Sequence, residues 1–244
     1  MDTVTLQDIR LKEYTLDNLP LLKQLREGLL SEKSRVCIER AKYYTAYLRD
    51  MSSDREPAEI RYANAAKHFL SNKAPLFFDD NLLAGTTTSK PFGAPVYPEW
   101  TGMTIWPELD TISTREKNPL ILSKKEAEEL NFDINPYWME RNILEYTRKK
   151  YNNPECMRIF ERIVFFIASK AGCISHTVPD YKVALDKGLE YIIEQAASKQ
   201  AGLKSKGDLS EENKQQLEFY QAIQIAVKGV ISYAQNLSKK AAEL

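Results

Sequence analysis

Two histidines occur in the 244-residue chain, and one of them, His176, has the setting of a ligand group. It stands in the uncharged run Cys-Ile-Ser-His-Thr-Val-Pro, between two stretches with helical periodicity. An imidazole there exchanges a proton near neutral pH or offers one neutral nitrogen as an acceptor. An extended run that meets a helix start is also where α/β barrels hold ligands. The competing reading is a packed core histidine whose nitrogens are satisfied by neighbours. Cys173 lies three residues earlier, but i and i+3 of an extended segment face opposite sides, so a thiolate–imidazole pair is not expected. With only Cys37 and Cys156 besides, and no Cys-x-x-Cys, neither a disulfide scaffold nor a zinc site is indicated.

Glu99 in Tyr-Pro-Glu-Trp, and Glu108 with Asp110 in Trp-Pro-Glu-Leu-Asp, would suit acid–base work if paired. Carboxylates in irregular, proline-rich loops more commonly accept orphan backbone N–H groups, and that is the expectation here. Trp100, Trp106 and Trp138 are expected to pack the same loop against helices. Gly-Thr-Thr-Thr-Ser-Lys, residues 85–90, lacks the second glycine and the Gly-Lys-Ser/Thr ending of a phosphate loop. His68 is expected to be a solvated helix residue.

These groups must be positioned by a mostly helical chain. Lys+Arg and Asp+Glu are 34 each, the net charge is zero and the pI is about 6.8, which gives no electrostatic footprint for nucleic acid or an anionic membrane. No run approaches the roughly 20 apolar residues of a membrane span, and a cytoplasmic protein is expected. Apolar spacing predicts helices over 17–30 and 33–48, a third begun by Pro57, and others over 139–151, 154–168 and 180–198. Ser123 and Glu126 form a capping box, and Ser210 starts a last helix whose stripe is Leu217, Tyr220, Ile223, Val227, Val230, Ala234, Leu237, Ala241 and Leu244. Between Pro75 and Ile112 lies an extended excursion with one short strand expected at 81–87.

Read together, Arg-Ala-Lys-Tyr-Tyr-Thr, the run from Asn81 to Trp100, Trp-Pro-Glu-Leu-Asp-Thr-Ile-Ser-Thr-Arg, Asp-Ile-Asn-Pro-Tyr-Trp-Met-Glu-Arg-Asn and the run from Gly172 to Ile193 resemble the N-terminal part of the glycyl radical enzymes, the pyruvate formate-lyase family. The resemblance runs from about Leu19 to Leu244. Within the family, the threonine cluster and the Ile-Trp-Pro-Glu-Leu-Asp loop are most similar to the arylacetate decarboxylases, typified by 4-hydroxyphenylacetate decarboxylation to p-cresol. The implied fold is mostly α with few strands: an N-terminal helical region followed by the first part of a ten-stranded α/β barrel. Residues 1–244 would be the N-terminal part of one such domain, without its cysteine loop and without its glycyl radical domain. No Arg-Val-x-Gly is present, and the one Cys-x-Glu, at Cys37, falls in the helical region.

By the same resemblance the segment around His176 is the first barrel strand. His176 would line the substrate chamber, with Ser175 and Phe166 as further substrate contacts and no catalytic residue supplied. The chain would bind no cofactor itself. In the whole enzyme the glycyl radical would be installed by an S-adenosylmethionine/iron–sulfur activating enzyme. Expected partners are an arylacetate substrate, the remaining polypeptide and that activating enzyme, with a small subunit or a homo-oligomer besides. Neither nucleic acid nor membrane is expected. Other readings are a diol or hydroxyproline dehydratase, a formate C-acetyltransferase, or a non-catalytic helical remnant acting as an interaction module.

Overall fold

A computed structural model describes residues 16–50, 53–78, 84–100, 102–151, 153–155, 158, 180–205, 207 and 210–244. Helix α1, Pro20–Ser31, opens on a proline whose missing N–H costs nothing in the first turn. The expected helix over 33–48 begins late. Arg35–Cys37 is instead a short strand, β1, and α2 covers Glu39–Arg49. The β-branched Val36 suits the strand, and long-range pairing decides it. β1 runs parallel to β2, Gly93–Pro95, with Val36 opposite Ala94. On its other side Val36 donates to the Ile121 carbonyl at 2.9 Å.

Among the described residues of the loop the strand is β2, and residues 84–87 of the strand expected at 81–87 are not in one. Residues 79–83 fall outside the described set, and Gly85 has φ +107°, which breaks an extended run. Helix α3, Ala58–Asn72, follows Pro57 as expected and buries Ile60, Ala63, Ala65 and Phe69. The capping box of Ser123 and Glu126 is present and starts α4, Lys124–Glu129. A π-helical turn, Leu130–Ile134, carries the chain directly into α5, Asn135–Trp138. Helix α6 is Ile143–Tyr151, begun by the Asn142 side chain accepting from the Glu145 N–H at 3.2 Å.

Two long helices close the chain. α7, Tyr181–Ser205, is broken at Gly188, where φ is 80°, and extends beyond the expected end at 198. α8, Glu211–Ala241, is capped by Ser210, whose hydroxyl accepts from the Asn213 N–H. α8 packs on α3 and on α7. Its buried ridge is Ala222 and Gly229, one step away from the stripe read from large apolar residues, and Val230 is exposed. The shift has a steric cause: a Cβ on Gly229 would stand 2.8 Å from the Lys67 Cα, so the closest crossing of α3 and α8 selects the smallest residue.

The main core gathers Val36, Ala41, Tyr44, Leu48, Phe69, Val96, Ile112, Leu130, Ile134 and Trp138. Thus β1, α2, α3, the proline-rich loop and the α4–α5 run share one interior. The described chain is mostly helical with few strands, as expected. The segments expected to form the helix over 154–168 and the first barrel strand lie almost wholly outside the described residues.

Candidate functional site: three polar clusters in the helical shell

His176, Ser175 and Phe166, with Cys156 and Cys173, lie outside the described residues. The polar chemistry that is described centres on three clusters. In the first, the Arg40 guanidinium of α2 lies between two aromatic rings, 3.8 Å from the Tyr44 centroid and 4.3 Å from that of Tyr97. One of its terminal nitrogens donates to Glu99 Oε1 at 2.6 Å. Burial by itself would lower the Arg40 pKa, but the Glu99 hydrogen bond and charge, with the two tyrosines, hold it above its ordinary value. Glu99 is thus an arginine's partner rather than an acceptor for orphan backbone groups. Its own carbonyl receives the Ile143 N–H at 2.9 Å and so ties α6 to the loop. Glu108 is held by Arg115 at 2.7 Å and Asp110 is exposed, so the loop carboxylates form no acid pair.

The second cluster explains the threonine run. Lys73, 2% exposed at the end of α3, donates to the Tyr233 hydroxyl at 2.8 Å and to the Thr88 carbonyl at 3.2 Å. Thr86 N–H meets the same Tyr233 hydroxyl at 3.4 Å. Thr88 donates to the Lys90 carbonyl at 2.9 Å, while Lys90 reaches the Val36 carbonyl at 2.8 Å and pairs with Glu126 of the capping box. The run is a brace between α8, α3, β1 and α4, consistent with its lack of a phosphate-loop pattern. Burial tends to raise the Glu126 pKa, and the Lys90 and Ser123 hydrogen bonds outweigh it, so the carboxyl sits below the usual range. Cys37 is buried, 3.5 Å from the Ser89 hydroxyl, as suits an inert thiol.

The third cluster surrounds an open cleft of about 920 Å³ between α2, α3, α5 and α6. Arg61 donates to the Leu48 carbonyl at 2.8 Å and to Asp54 at 2.6 Å. The Tyr137 ring is flanked by Arg141 at 4.7 Å and Arg49 at 5.7 Å, and its hydroxyl donates to the Leu48 carbonyl at 2.8 Å. Trp138 lies buried against the cleft floor with its indole N–H on the Thr45 hydroxyl at 2.8 Å. Trp106 bonds Asn131 at 2.5 Å and Trp100 is half-buried, so the tryptophans pack the loop as expected. His68 differs from expectation: it is half-buried, with ring centroids 5.6 Å from Tyr43 and 5.9 Å from Tyr47. Burial and then Glu56 push the Tyr47 hydroxyl up to about 12.

Arg40, Lys73, Tyr233 and the meeting of Arg61 and Tyr137 on the Leu48 carbonyl were not singled out by sequence reasoning. Only Arg40 and Tyr44, four apart on one helix face, left a local signal. Among the described residues no group of His, Cys, Asp and Glu is arranged to hold a metal ion. No described helix is long and apolar enough to cross a membrane.

The described residues thus form a helical shell braced through an arginine–glutamate pair and a threonine loop. The chain superposes on a glycyl radical enzyme from Archaeoglobus fulgidus with a TM-score of 0.75 at 31% identity, over 87% of this chain and 27% of that one. With the B12-independent glycerol dehydratase from Clostridium butyricum the TM-score is 0.77 at 25% identity, over 91% of this chain and 28% of that one. Residues 17–244 match the pyruvate formate lyase-like family model, and the chain belongs to that family. Among curated relatives, isethionate sulfite-lyase of Nitratidesulfovibrio vulgaris is 24% identical over 227 residues, 89% of this chain and 27% of the relative. Trans-4-hydroxy-L-proline dehydratase of Clostridioides difficile is 28% identical over 159 residues, 64% of this chain and 19% of the relative. The chain therefore spans about a quarter of the length of the relatives it matches.

Proposed function

We propose that the chain is the N-terminal helical part of a glycyl radical lyase that expels a small leaving group, such as water or sulfite, from its substrate. The supporting observation is the family match over 17–244 together with relatives that are named as a sulfite-lyase and as dehydratases. The chain's share of the work is scaffold, plus one wall of the substrate chamber through His176, Ser175 and Phe166. The thiyl-forming cysteine and the radical-storing glycine belong to polypeptide outside residues 1–244, and a radical-activating enzyme is the required partner.

Arylacetate decarboxylation is the second reading. It rested on the threonine cluster and the Ile-Trp-Pro-Glu-Leu-Asp loop. Thr86 and Thr88 are engaged with Lys73, Tyr233 and the backbone, Trp106 with Asn131, and Glu108 with Arg115. Motifs used up in bracing say little about a substrate, so the eliminating reaction is favoured. The test is anaerobic activation of the whole enzyme, followed by product analysis with isethionate, glycerol, trans-4-hydroxy-L-proline and 4-hydroxyphenylacetate. Turnover of one of the first three is expected; p-cresol as the sole product would instead establish the decarboxylase.

A further inference from the structure

The whole chain is electrically neutral, yet the cleft between α2, α3, α5 and α6 is not. Its lining includes five basic side chains against two acids, Asp54 and Glu140. Such a local excess raises the concentration of anions at the mouth. The two acids do not cancel it: Asp54 is engaged with Arg61 at 2.6 Å, and Glu140 meets Lys149 only at 3.6 Å, with both of those side chains more than half exposed. Arg49 is occupied by Asp133, outside the lining. Arg141 has no carboxylate partner among the described residues; one terminal nitrogen donates to the Tyr137 carbonyl at 3.1 Å, and the planar fork of a guanidinium suits an oxyanion. Arg61 adds a buried Nε–H with no acceptor. Beside these cations stand three tyrosine rings, Tyr62, Tyr137 and Tyr146, the first and last about half exposed, over the buried Trp138. A volume of about 920 Å³ is in the range that holds small organic molecules.

We propose that this cleft binds a planar organic anion, its phosphate or carboxylate taken by Arg141 and Lys149 and its ring laid against Tyr62 and Tyr146. The ligand class follows from the lining alone, whatever reaction the whole enzyme performs. Both halves are needed: an oxyanion on two exposed cations is weakly held in water, and an apolar ring alone has no use for the charge. The aromatic faces distinguish the site from a diffuse basic surface.

The test is calorimetric titration of the 244-residue chain with adenosine monophosphate, benzoate, inorganic phosphate and adenosine. One of the two ring-bearing anions is expected to bind at least tenfold more tightly than either inorganic phosphate or adenosine. Preference for the monophosphate identifies a phosphate ligand, and preference for benzoate an aromatic acid. Raising the salt concentration should weaken binding. Arg141→Ser combined with Lys149→Ser should weaken it at least tenfold while leaving the melting temperature unchanged, because both side chains are exposed. Absence of saturable binding by both ring-bearing anions, equal affinity for inorganic phosphate, or full affinity in the double variant would overturn the proposal.

Discussion

Helix α1 and the α4–α5 run are both short amphipathic stretches rich in apolar residues, and the fold treats them oppositely. In the second, Leu130, Ile134 and Trp138 are each at most 1% exposed and enter the main core. In α1, Leu22, Leu25 and Leu29 are 50–63% exposed and no residue is buried. An apolar stripe states which face of a helix needs cover, not that cover is supplied nearby. The buried run also carries specific polar bonds. The Trp138 indole is fixed by Thr45, Tyr137 by the Leu48 carbonyl, and α4 by its capping box. α1 has the exposed pair of Lys23 with Asp17 at 2.9 Å.

The largest expected effect therefore falls on the first region. Trp138→Ala should destabilise by about 3–5 kcal/mol, through the cavity and the lost bond to Thr45. Leu25→Ala should stay within about 0.5 kcal/mol of the parent. Denaturant unfolding of both variants checks the pair, and an equal loss from Leu25→Ala would erase the distinction. Next in size is the α3–α8 crossing, where Gly229→Val should cost about 1–3 kcal/mol because the Lys67 backbone cannot give way easily. A variant as stable as the parent would show that the helices are free to separate.

The smallest effect is electrostatic. The Glu126 pKa is depressed, so its contribution to stability is complete above the unfolded-state value, about 4.3, and fades as pH falls through the lower folded value. Melting temperatures of the parent and Glu126→Gln should accordingly differ at pH 6 and converge under more acidic conditions. A gap that widened on acidification would reverse the assigned sign.

Much of this organisation was legible because it is local. The Ser123 capping box and the Ser210 cap involve residues three apart, and Pro57 fixes the entry to α3 within one turn. Misreadings arose where distant partners decide. Val36, Cys37 and Ile38 fit a helical or an extended pattern equally, and pairing with Gly93–Pro95 and with Ile121 makes β1 a strand. The α8 face was misplaced by one residue because stripe reading weights large side chains, whereas a close helix crossing needs Ala222 and Gly229. Arg40 and Glu99, 59 positions apart, left no sign of their pairing. The segment read as carrying the substrate contacts, around His176, lies outside the described residues.

The proposed function divides the labour: the described shell would supply stability, and the segment around His176 would supply the chain's contact with substrate. It is tested most directly by kcat/KM and melting temperature of the whole enzyme carrying His176→Ala, normalised per glycyl radical. The account predicts at least about a tenfold loss of kcat/KM, near 1.4 kcal/mol of transition-state stabilisation, with an unchanged melting temperature. Normal turnover with a melting point several degrees lower would contradict it and make His176 a packed structural histidine.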